Sequence, residues 1–486
     1  MTIKHVYINT IGCQMNVRDS ERMAESLQRL GYRPTDRMGA ADLIIANTCA
    51  IREKAEQKVF SFLGRLAGLK RKKPDLIIGV GGCVAQQEGR RMLKRVPHLD
   101  LVFGTHSLGR LPALVRRVEA ERCRLVDIGP AAGIEDPAEV LAPLQKGQTV
   151  SRFVTIMQGC DNYCTYCVVP YVRGREVSRR PEAIVAEIRR LVDAGVREVT
   201  LLGQNVNSYG QKEGLCDFVE LLGRVNRISG LQRIRFTTSH PKDLSEGLIR
   251  AFAELEKLCN HIHLPVQSGA NRILKRMNRK YTREIYLERV ARLRHARPDI
   301  AITSDFIVGF PGEEPADFDA TLSMIREVEF DGLFAFKYSD RPSAPAAHFA
   351  DKLPEAVKQR RLQQVLKLQE SITLCKNLAQ VGSVQEVLVE GISKKLARPS
   401  PGLHTGEGGQ STRDAADRQW TGRTAANKIV HFCDPADSGG GNFTKPIDVG
   451  MLTSVRIEDA FAHSLRGSPA VGQAAPPGDS RGDLEP

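Results

Sequence analysis

Three thiols fall within one loop, Gly159-Cys160-Asp161-Asn162-Tyr163-Cys164-Thr165-Tyr166-Cys167, directly after the apolar run Phe153 to Met157. Spacings of four and then three residues let a short loop wrap its thiolates around a single iron-sulfur cube, and three ligands for four irons leave one iron without a protein ligand. That open iron is where chemistry can occur. A zinc site would ordinarily be closed by a fourth Cys or His at paired spacing, which does not follow here. A disulfide framework suits a small secreted chain, and three thiols so close cannot all pair with each other. Zinc and structural thiols remain the weaker alternatives.

The elements before this loop must be considered next, because they bring up three more thiols. Lys4 to Asn9 reads as a buried strand, and the turn Thr10 to Asn16 leads into an amphipathic helix near Val17 to Leu30 with Met23, Leu27 and Leu30 on its apolar face. The pattern repeats with a strand at Asp42 to Ala46, the turn Asn47-Thr48-Cys49 and a helix over Glu53 to Leu69. A third strand at Leu76 to Val80 meets the turn Gly81-Gly82-Cys83, a helix follows over Gln86 to Arg95, and Leu101-Val102-Phe103 makes a short fourth strand. Strands alternating with helices imply a parallel sheet whose strand-to-helix turns gather at the carboxyl edge. Cys13, Cys49 and Cys83 each sit in one of those turns. A lone cysteine in a crowded turn is usually a small packing residue, but three at equivalent positions point to a second cluster, again with three protein ligands.

From Phe153 to about Gln380 a second alternation places strands at Phe153 to Met157, Glu198 to Leu202, Arg233 to Phe236, His261 to Leu264, Ile302 to Ile307 and Gly332 to Phe336. Gly203-Gln204-Asn205, Thr238-Ser239-His240-Pro241, Pro265-Val266-Gln267-Ser268-Gly269 and Gly309-Phe310-Pro311-Gly312-Glu313 follow the second to fifth of them. Glycine lets backbone approach a ligand closely, and amide and hydroxyl groups can bind a ribose or a carboxylate, although ordinary tight loops use the same residues. Arg173 and Arg175 could pair with a carboxylate or phosphate, or form structural ion pairs.

At 486 residues, with 41% apolar and 26% charged residues, the chain predicts two or three ordinary globular domains. No window has the apolar length of a membrane span and the start lacks a signal-peptide pattern, so no membrane partner and a cytoplasmic location are expected. Eleven cysteines, an odd number clustered in loops, fit a reducing compartment. Cys123, Cys216, Cys259, Cys375 and Cys433 share no ligand spacing and read as structural. The net charge of +13 suggests a polyanionic partner or a generally basic surface. Lys70-Arg71-Lys72-Lys73 could meet phosphate or simply end a helix in solvent.

The thiol loop, with Tyr166 just before its last cysteine, resembles the CxxxCxxC signature of radical S-adenosylmethionine enzymes. Gly12-Cys13-Gln14-Met15-Asn16 with Asp19-Ser20-Glu21, Asn47-Thr48-Cys49 and Gly82-Cys83 resemble the N-terminal domain of the methylthiotransferases, a family with two 4Fe-4S clusters. Thr421-Gly422-Arg423-Thr424 and Ser464-Leu465-Arg466-Gly467 resemble a TRAM domain, a small RNA-binding barrel. The resemblance covers nearly the whole chain to about Gly467.

It implies an α/β protein: an N-terminal parallel α/β domain over 1–123, a linker over 124–150, a partial (β/α)6 radical domain over 151–380 and a TRAM barrel over 381–467. A disordered insertion over 396–419 and a disordered tail over 468–486 depart from the family pattern. Cys160, Cys164 and Cys167 would hold the cluster that binds and reductively cleaves S-adenosylmethionine. Cys13, Cys49 and Cys83 would hold the auxiliary cluster, facing the first across the domain interface. Gln204, Ser239, Gln267 and Asp305 would contact S-adenosylmethionine, and Lys394, Lys395, Arg423, Lys428 and Arg466 would meet tRNA phosphates.

Ala50-Ile51-Arg52-Glu53-Lys54-Ala55-Glu56 and the run Cys167 to Glu176 are closest to the members that methylthiolate carbon 2 of an isopentenylated adenosine beside the tRNA anticodon. Two S-adenosylmethionine molecules and a reducing electron-donor protein would serve the reaction. Threonylcarbamoyladenosine, or an aspartate of a small-subunit ribosomal protein, are alternative substrates, and a noncatalytic iron-sulfur RNA-binding protein is the alternative of another class.

Overall fold

The computed structural model describes residues 3–50, 53–129, 149–393, 419–433 and 447–470. The chain forms two compact units, Met1–Val328 with Gly332–Leu366, and Glu329–Asp331 with Lys367–Pro486.

The first unit opens with a six-stranded sheet of β1 (Lys4–Ile11), β2 (Tyr32–Pro34), β3 (Leu43–Thr48), β4 (Ile77–Gly82), β5 (Leu101–Phe103) and β6 (Leu125–Asp127). All neighbours are parallel, in the order β2-β1-β3-β4-β5-β6. Helices α1 (Gln14–Gln28), α2 (Glu53–Lys72), α3 (Cys83–Glu88), α4 (Arg90–Arg95) and α5 (Leu111–Glu121) cover it. The alternation of side chains along β3 makes two cores. Leu43 and Ile45 pack with Met23 and Leu27 of α1 and Val115 and Val118 of α5. Ile44 and Ala46 pack with Val59 and Leu63 of α2, Val84 of α3 and Met92 of α4. Burying each such side chain contributes roughly 1.5–3 kcal/mol. With both faces covered, β3 and β4 read as continuous apolar runs rather than alternating ones.

Several boundaries differ from the sequence expectation. The edge strands β2 and β6 are three residues each, too short to show a period, and β6 lies inside the stretch expected as a linker. The rest of that linker, 130–148, lies outside the described residues. The helix expected over Gln86 to Arg95 is broken into α3 and α4 at Gly89, whose φ is +50°.

The same unit continues with β7 (Ser151–Thr155), β8 (Met157–Gln158), α6 (Val169–Val172), β9 (Val177–Ser178) and α7 (Pro181–Asp193). Then come β10 (Glu198–Leu202), β11 (Arg233–Phe236), β12 (His261–His263), β13 (Ala301–Val308) and β14 (Gly332–Lys337). Strands β7, β10 and β11 form one parallel sheet and β12, β13 and β14 another, and β11 lies beside β12. Six parallel strands in chain order make the expected partial barrel. The first departs in detail: β7 ends at Thr155, and Met157–Gln158 turns away to pair antiparallel with β9, which starts the thiol loop.

The second unit carries a closed barrel of β15 (Val384–Ile392), β16 (Gln419–Thr424), β17 (Ile429–Cys433), β18 (Leu452–Ala460) and β19 (Leu465–Pro469), in the order β15-β16-β17-β19-β18. Val387, Val389, Trp420, Val430, Phe432, Val455, Ile457 and Leu465 fill it. The expected insertion ends one residue early, because Gln419 opens β16, and the expected tail begins late, because β19 runs to Pro469. The remainder of both, 396–418 and 471–486, lies outside the described residues.

Candidate functional site

Cys13, Cys49 and Cys83 follow the carboxyl ends of β1, β3 and β4, which are neighbours in the sheet, so three sequence-distant turns meet at one edge. Buried amides lock them together. Asn16 Nδ2 donates to Asn47 Oδ1 at 3.0 Å and to the Thr48 carbonyl at 3.1 Å. Asn47 Nδ2 donates back to the Asn16 carbonyl at 2.8 Å and to Ser20 Oγ at 2.9 Å. Cys49 N donates to the Ile11 carbonyl at 3.0 Å. A fully satisfied buried network fixes one arrangement. Gly82 sits at φ +90°, and a Cβ there would overlap the Thr48 carbonyl oxygen. The Cys13 thiol, hydrogen-bonded to Cys49 and facing Arg173, is brought down to about 6, whereas burial pushes Cys83 up.

The second set is held just as tightly. Gly159, at φ +82°, donates its N–H to Gln204 Oε1 at 2.6 Å. Thr165 N donates to the Met277 carbonyl at 3.1 Å, and Ala346 N to the Thr165 carbonyl at 2.8 Å. Asn162 Nδ2 reaches Cys160 Sγ at 3.5 Å, and Arg279 Nη1 reaches Cys164 Sγ at 3.3 Å. Burial raises Cys160 and pushes Cys167 up to about 12, with Cys164 adding to the effect in each case. Arg279 is buried, its other donors meet Tyr281, Tyr166 and the Pro265 carbonyl, and among the described residues it has no carboxylate partner. A buried guanidinium stays charged, so a thiolate set is what balances it. Three thiols gathered beside a buried cation that has no carboxylate partner fit an anionic iron-sulfur cluster. Among the described residues no three His, Cys, Asp or Glu are grouped to hold a single metal ion.

Gly159 gives a direct test of this frame. A Cβ there would overlap the Arg175 carbonyl oxygen at a left-handed φ. Gly159→Ala is expected to destabilise the fold by at least about 1 kcal/mol and to cost the loop its iron while the N-terminal set keeps its own. Iron counted per reconstituted chain checks it.

Helix α6 connects the two sets. Cys167 precedes it and Arg173 follows it, six residues of near-helical chain or about 9 Å of rise. Val168 and Val172 pack into the N-terminal core with Val84, and Thr105 Oγ1 donates to the Val172 carbonyl at 2.6 Å. Arg173, itself buried, bonds the Asp19 carboxylate at 2.8 Å and bears on both Cys13 and Cys83. Of the alternatives for Arg173, the structural ion pair is the one formed. Beside it, Arg18 of α1 bonds Glu21, Glu25 and, at 3.1 Å, Glu187 of α7. Arg179 holds the other Glu187 oxygen at 2.7 Å.

Of the four residues expected at S-adenosylmethionine, Gln204, Ser239 and Gln267 follow strand ends and Asp305 lies within β13, and they do different work. Gln204 ties the thiol loop. Gln267 is held at φ +76° by backbone bonds with Asp305 and Ile307. Asp305 Oδ1 faces His263 Nε2 at 3.6 Å. Ser239 Oγ is buried without a hydrogen-bond partner, as are Thr155 Oγ1, both polar atoms of Asn207 and His240 Nε2. Each such orphan costs about 1–3 kcal/mol, and their gathering after β7, β10 and β11 suits a polar ligand. No motif in the sequence marks Asn207 or Thr155, or Arg279, which lies 115 residues from the thiol it meets and in no periodic pattern.

His240 also predicts a pH response. Its Nδ1 accepts from Lys242 N at 3.2 Å, so the neutral ring carries its proton on the orphaned Nε2. Burial first, then Arg279, Lys242 and Arg289, hold it well below the ordinary imidazole range. Only the unfolded chain takes up this proton, so the contribution is complete above about pH 6.5 and is lost below it, by up to about 1.4 kcal/mol per pH unit. His240→Asn is expected to remove that slope in denaturant midpoints measured between pH 7 and pH 5.

The cations expected to meet RNA are largely tied within the barrel unit. Lys428 is paired with Asp331 at 3.5 Å with its side chain only 17% exposed, which removes it as a free phosphate contact. Arg423 pairs with Glu390 at 3.1 Å and Arg466 with Asp459. Lys394 and Lys395 lie outside the described residues. In the first unit, Lys70 and Lys73 are engaged by Asp100 and Asp42. Of the cysteines expected to be structural, Cys259 is buried, whereas Cys375 and Cys433 are exposed.

The partial barrel and its three-thiol loop define a radical S-adenosylmethionine enzyme, and residues 154–325 match the Radical SAM superfamily. Residues 5–104 match a family described as Uncharacterized protein family UPF0004. Two curated relatives carry the name tRNA-2-methylthio-N(6)-dimethylallyladenosine synthase. That from Desulfosudis oleivorans is 53% identical over 98% of each chain. That from Geobacter sulfurreducens is 54% identical over 96% of this chain and 97% of its own. The chain belongs to the tRNA-2-methylthio-N(6)-dimethylallyladenosine synthase family. The fold is shared with the radical S-adenosylmethionine methyltransferase TsrM from Kitasatospora setae, solved with cobalamin and a 4Fe-4S cluster bound. That likeness has a TM-score of 0.52 at 14% identity, over 71% of this chain and 77% of that one.

Proposed function

We infer that the protein methylthiolates carbon 2 of N6-isopentenyladenosine next to the anticodon of tRNA. The observation that carries the reading is the pair of three-thiol sets, each at the carboxyl edge of a parallel sheet and linked through α6 and Arg173 within one compact unit.

On this reading Cys160, Cys164 and Cys167 hold the cluster that meets S-adenosylmethionine, and Cys13, Cys49 and Cys83 hold the auxiliary cluster. When bound, these groups supply a carbon-centred radical able to act on an unactivated C–H bond, and the methylthio unit. The chain's own residues do the positioning. Arg279 balances the charge at Cys164, Gln204 fixes the start of the loop, and Asn16 with Asn47 hold the three N-terminal turns in register. Ser239, Asn207 and Thr155 offer unused donors and acceptors to the methionyl and ribose groups, with Gln267 after β12 and Asp305 beside it within β13. The five-stranded barrel serves as a TRAM-type RNA-binding domain. No helix among the described residues is long and apolar enough to cross a membrane, and the reading puts the enzyme with its tRNA in the cytoplasm, supplied by a reducing electron-donor protein.

The test incubates the anaerobically reconstituted protein with S-adenosylmethionine, a chemical reductant and an anticodon stem-loop bearing isopentenyladenosine. A mass gain of one methylthio group on that nucleoside is the expected result. Gain only on a threonylcarbamoyladenosine stem-loop, or only on a ribosomal-protein aspartate, would move the assignment to that substrate.

A further inference from the structure

We propose that Tyr163 and Tyr171 form a stacking platform for a nucleobase flanking the modified adenosine; this rests on the tRNA reading above. Tyr163 lies within the thiol loop and Tyr171 on α6, and the two residues are 41% and 46% exposed. They meet edge to face, 6.5 Å between centroids and 81° between planes. An edge-to-face contact covers at most one face of one ring with its partner, and among the described residues neither hydroxyl has a hydrogen-bond partner.

Four buried tyrosines of this unit behave differently, while a fifth, Tyr338, is buried with its hydroxyl unpartnered. Tyr32, Tyr209, Tyr281 and Tyr286 are buried, and their hydroxyls donate to Glu119, the Arg179 carbonyl, the Val266 carbonyl and the Leu264 carbonyl at 2.6–2.9 Å. A core tyrosine usually finds a partner for its hydroxyl. The exposed pair has not been placed for packing.

Its placement is also held against a local preference. Tyr163 adopts φ +47°, a left-handed conformation unfavourable for a bulky residue. Asn278 Nδ2 secures it by donating to the Tyr163 carbonyl at 3.0 Å, and Lys242 Nζ secures the preceding residue through Asn162 Oδ1 at 2.8 Å. Strain maintained by surrounding bonds at a functional loop points to a purpose for the ring's position.

Two exposed cations flank these contacts, Arg175 four residues after Tyr171, and Lys280 two residues after the Asn278 that bonds the Tyr163 carbonyl. Aromatic faces beside positive charge bind single-stranded nucleic acid, with stacking that tolerates any base. An adenine presented for chemistry must leave its stack, and the neighbour left behind loses a partner. The tyrosine pair replaces that partner, so it accepts a flanking base without reading its identity.

The experiment uses the full reconstituted chain and an isopentenyladenosine stem-loop with 2-aminopurine at one or the other flanking position. The wild type and Tyr171→Phe are expected to quench the probe at one of the two positions. Tyr171→Ala is expected to weaken binding by roughly 10-fold and to lose most of the quench. Exchanging the flanking base should change affinity far less than removing the ring. Tyr163→Ala is judged together with its iron content, and because Tyr171 lies outside the thiol loop, it decides if Tyr163→Ala loses iron. Unchanged affinity and quench in Tyr171→Ala, or no quench at either flank of a bound stem-loop, overturns the platform. A wild type that binds no stem-loop overturns the tRNA reading itself, and a wild type that modifies the stem-loop while Tyr171→Ala loses only binding to the electron donor reassigns the rings to a protein partner.

Discussion

Replacing Cys160, Cys164 and Cys167 together by alanine is expected to halve the iron of the reconstituted protein, from about eight to about four per chain. It should also abolish reductive cleavage of S-adenosylmethionine. Although α6 and Arg173 join the two sets, their turns have separate anchors. The loop is anchored through Gln204, Met277 and Ala346, whereas the N-terminal turns are locked by Asn16 and Asn47. Loss of one set should therefore spare the other. The reciprocal triple variant at Cys13, Cys49 and Cys83 should also keep about four irons and retain cleavage while losing methylthio transfer. Iron analysis with 5'-deoxyadenosine quantification separates the cases. A wild type with only about four irons, none of them in the Cys160 set variant, would return the N-terminal thiols to the role of packing residues.

Arg18→Met carries the largest expected effect on stability. Arg18 is buried and satisfies Glu21 at 3.1 Å, Glu25 at 3.3 Å and Glu187 at 3.1 Å, with the Glu187 side chain 0% exposed. Removing Arg18 takes the ion-pair partner from Glu25 and from one Glu187 oxygen while Arg179 keeps the other and Arg152 keeps Glu21, and breaking a buried pair in this way costs about 3–5 kcal/mol. The loss should depend on pH with a defined sign. Burial raises the Glu25 carboxyl, opposed by Arg18, and the variant removes that opposition. A carboxyl raised in the folded state favours folding below its unfolded value and loses that contribution as pH rises through the folded value. The defect of Arg18→Met should therefore be smallest in mild acid and full at neutral pH, and Glu25→Gln added to it should restore part of the stability. Denaturant midpoints at pH 5 and pH 7.5 measure both. An Arg18→Met chain as stable as wild type at neutral pH would show that the α1–α7 charge network adds nothing to the fold.

Much of the architecture is legible in the order of the residues. Leu43 to Ala46 and Ile77 to Val80 are apolar runs bounded by turns, so covered parallel strands follow from composition alone, and with them the placement of Cys13, Cys49 and Cys83 at one edge. The thiol loop declares its chemistry through spacing within nine residues. Short elements do not show, because three residues such as Tyr32–Pro34 or Leu125–Asp127 carry no period and gain strand geometry only from a neighbour already in place. The break at Gly89 and the turn of Met157–Gln158 away from β7 are set by packing of the same kind.

The candidate ligand atoms and the order of the strands that carry them are legible along the chain, since spacing and periodicity are local properties. Tertiary structure alone decided what surrounds those atoms. Arg279 comes to Cys164, Arg173 to Cys83 and Glu187 to Arg18 across 115, 90 and 169 positions of chain. It also decided that Gln204 ties a loop, that Lys428 is occupied by Asp331, and that Tyr163 and Tyr171 are turned outward. Charge balance and exposure depend on which distant groups the fold brings within a few ångströms, and no pattern along a single strand or helix records that.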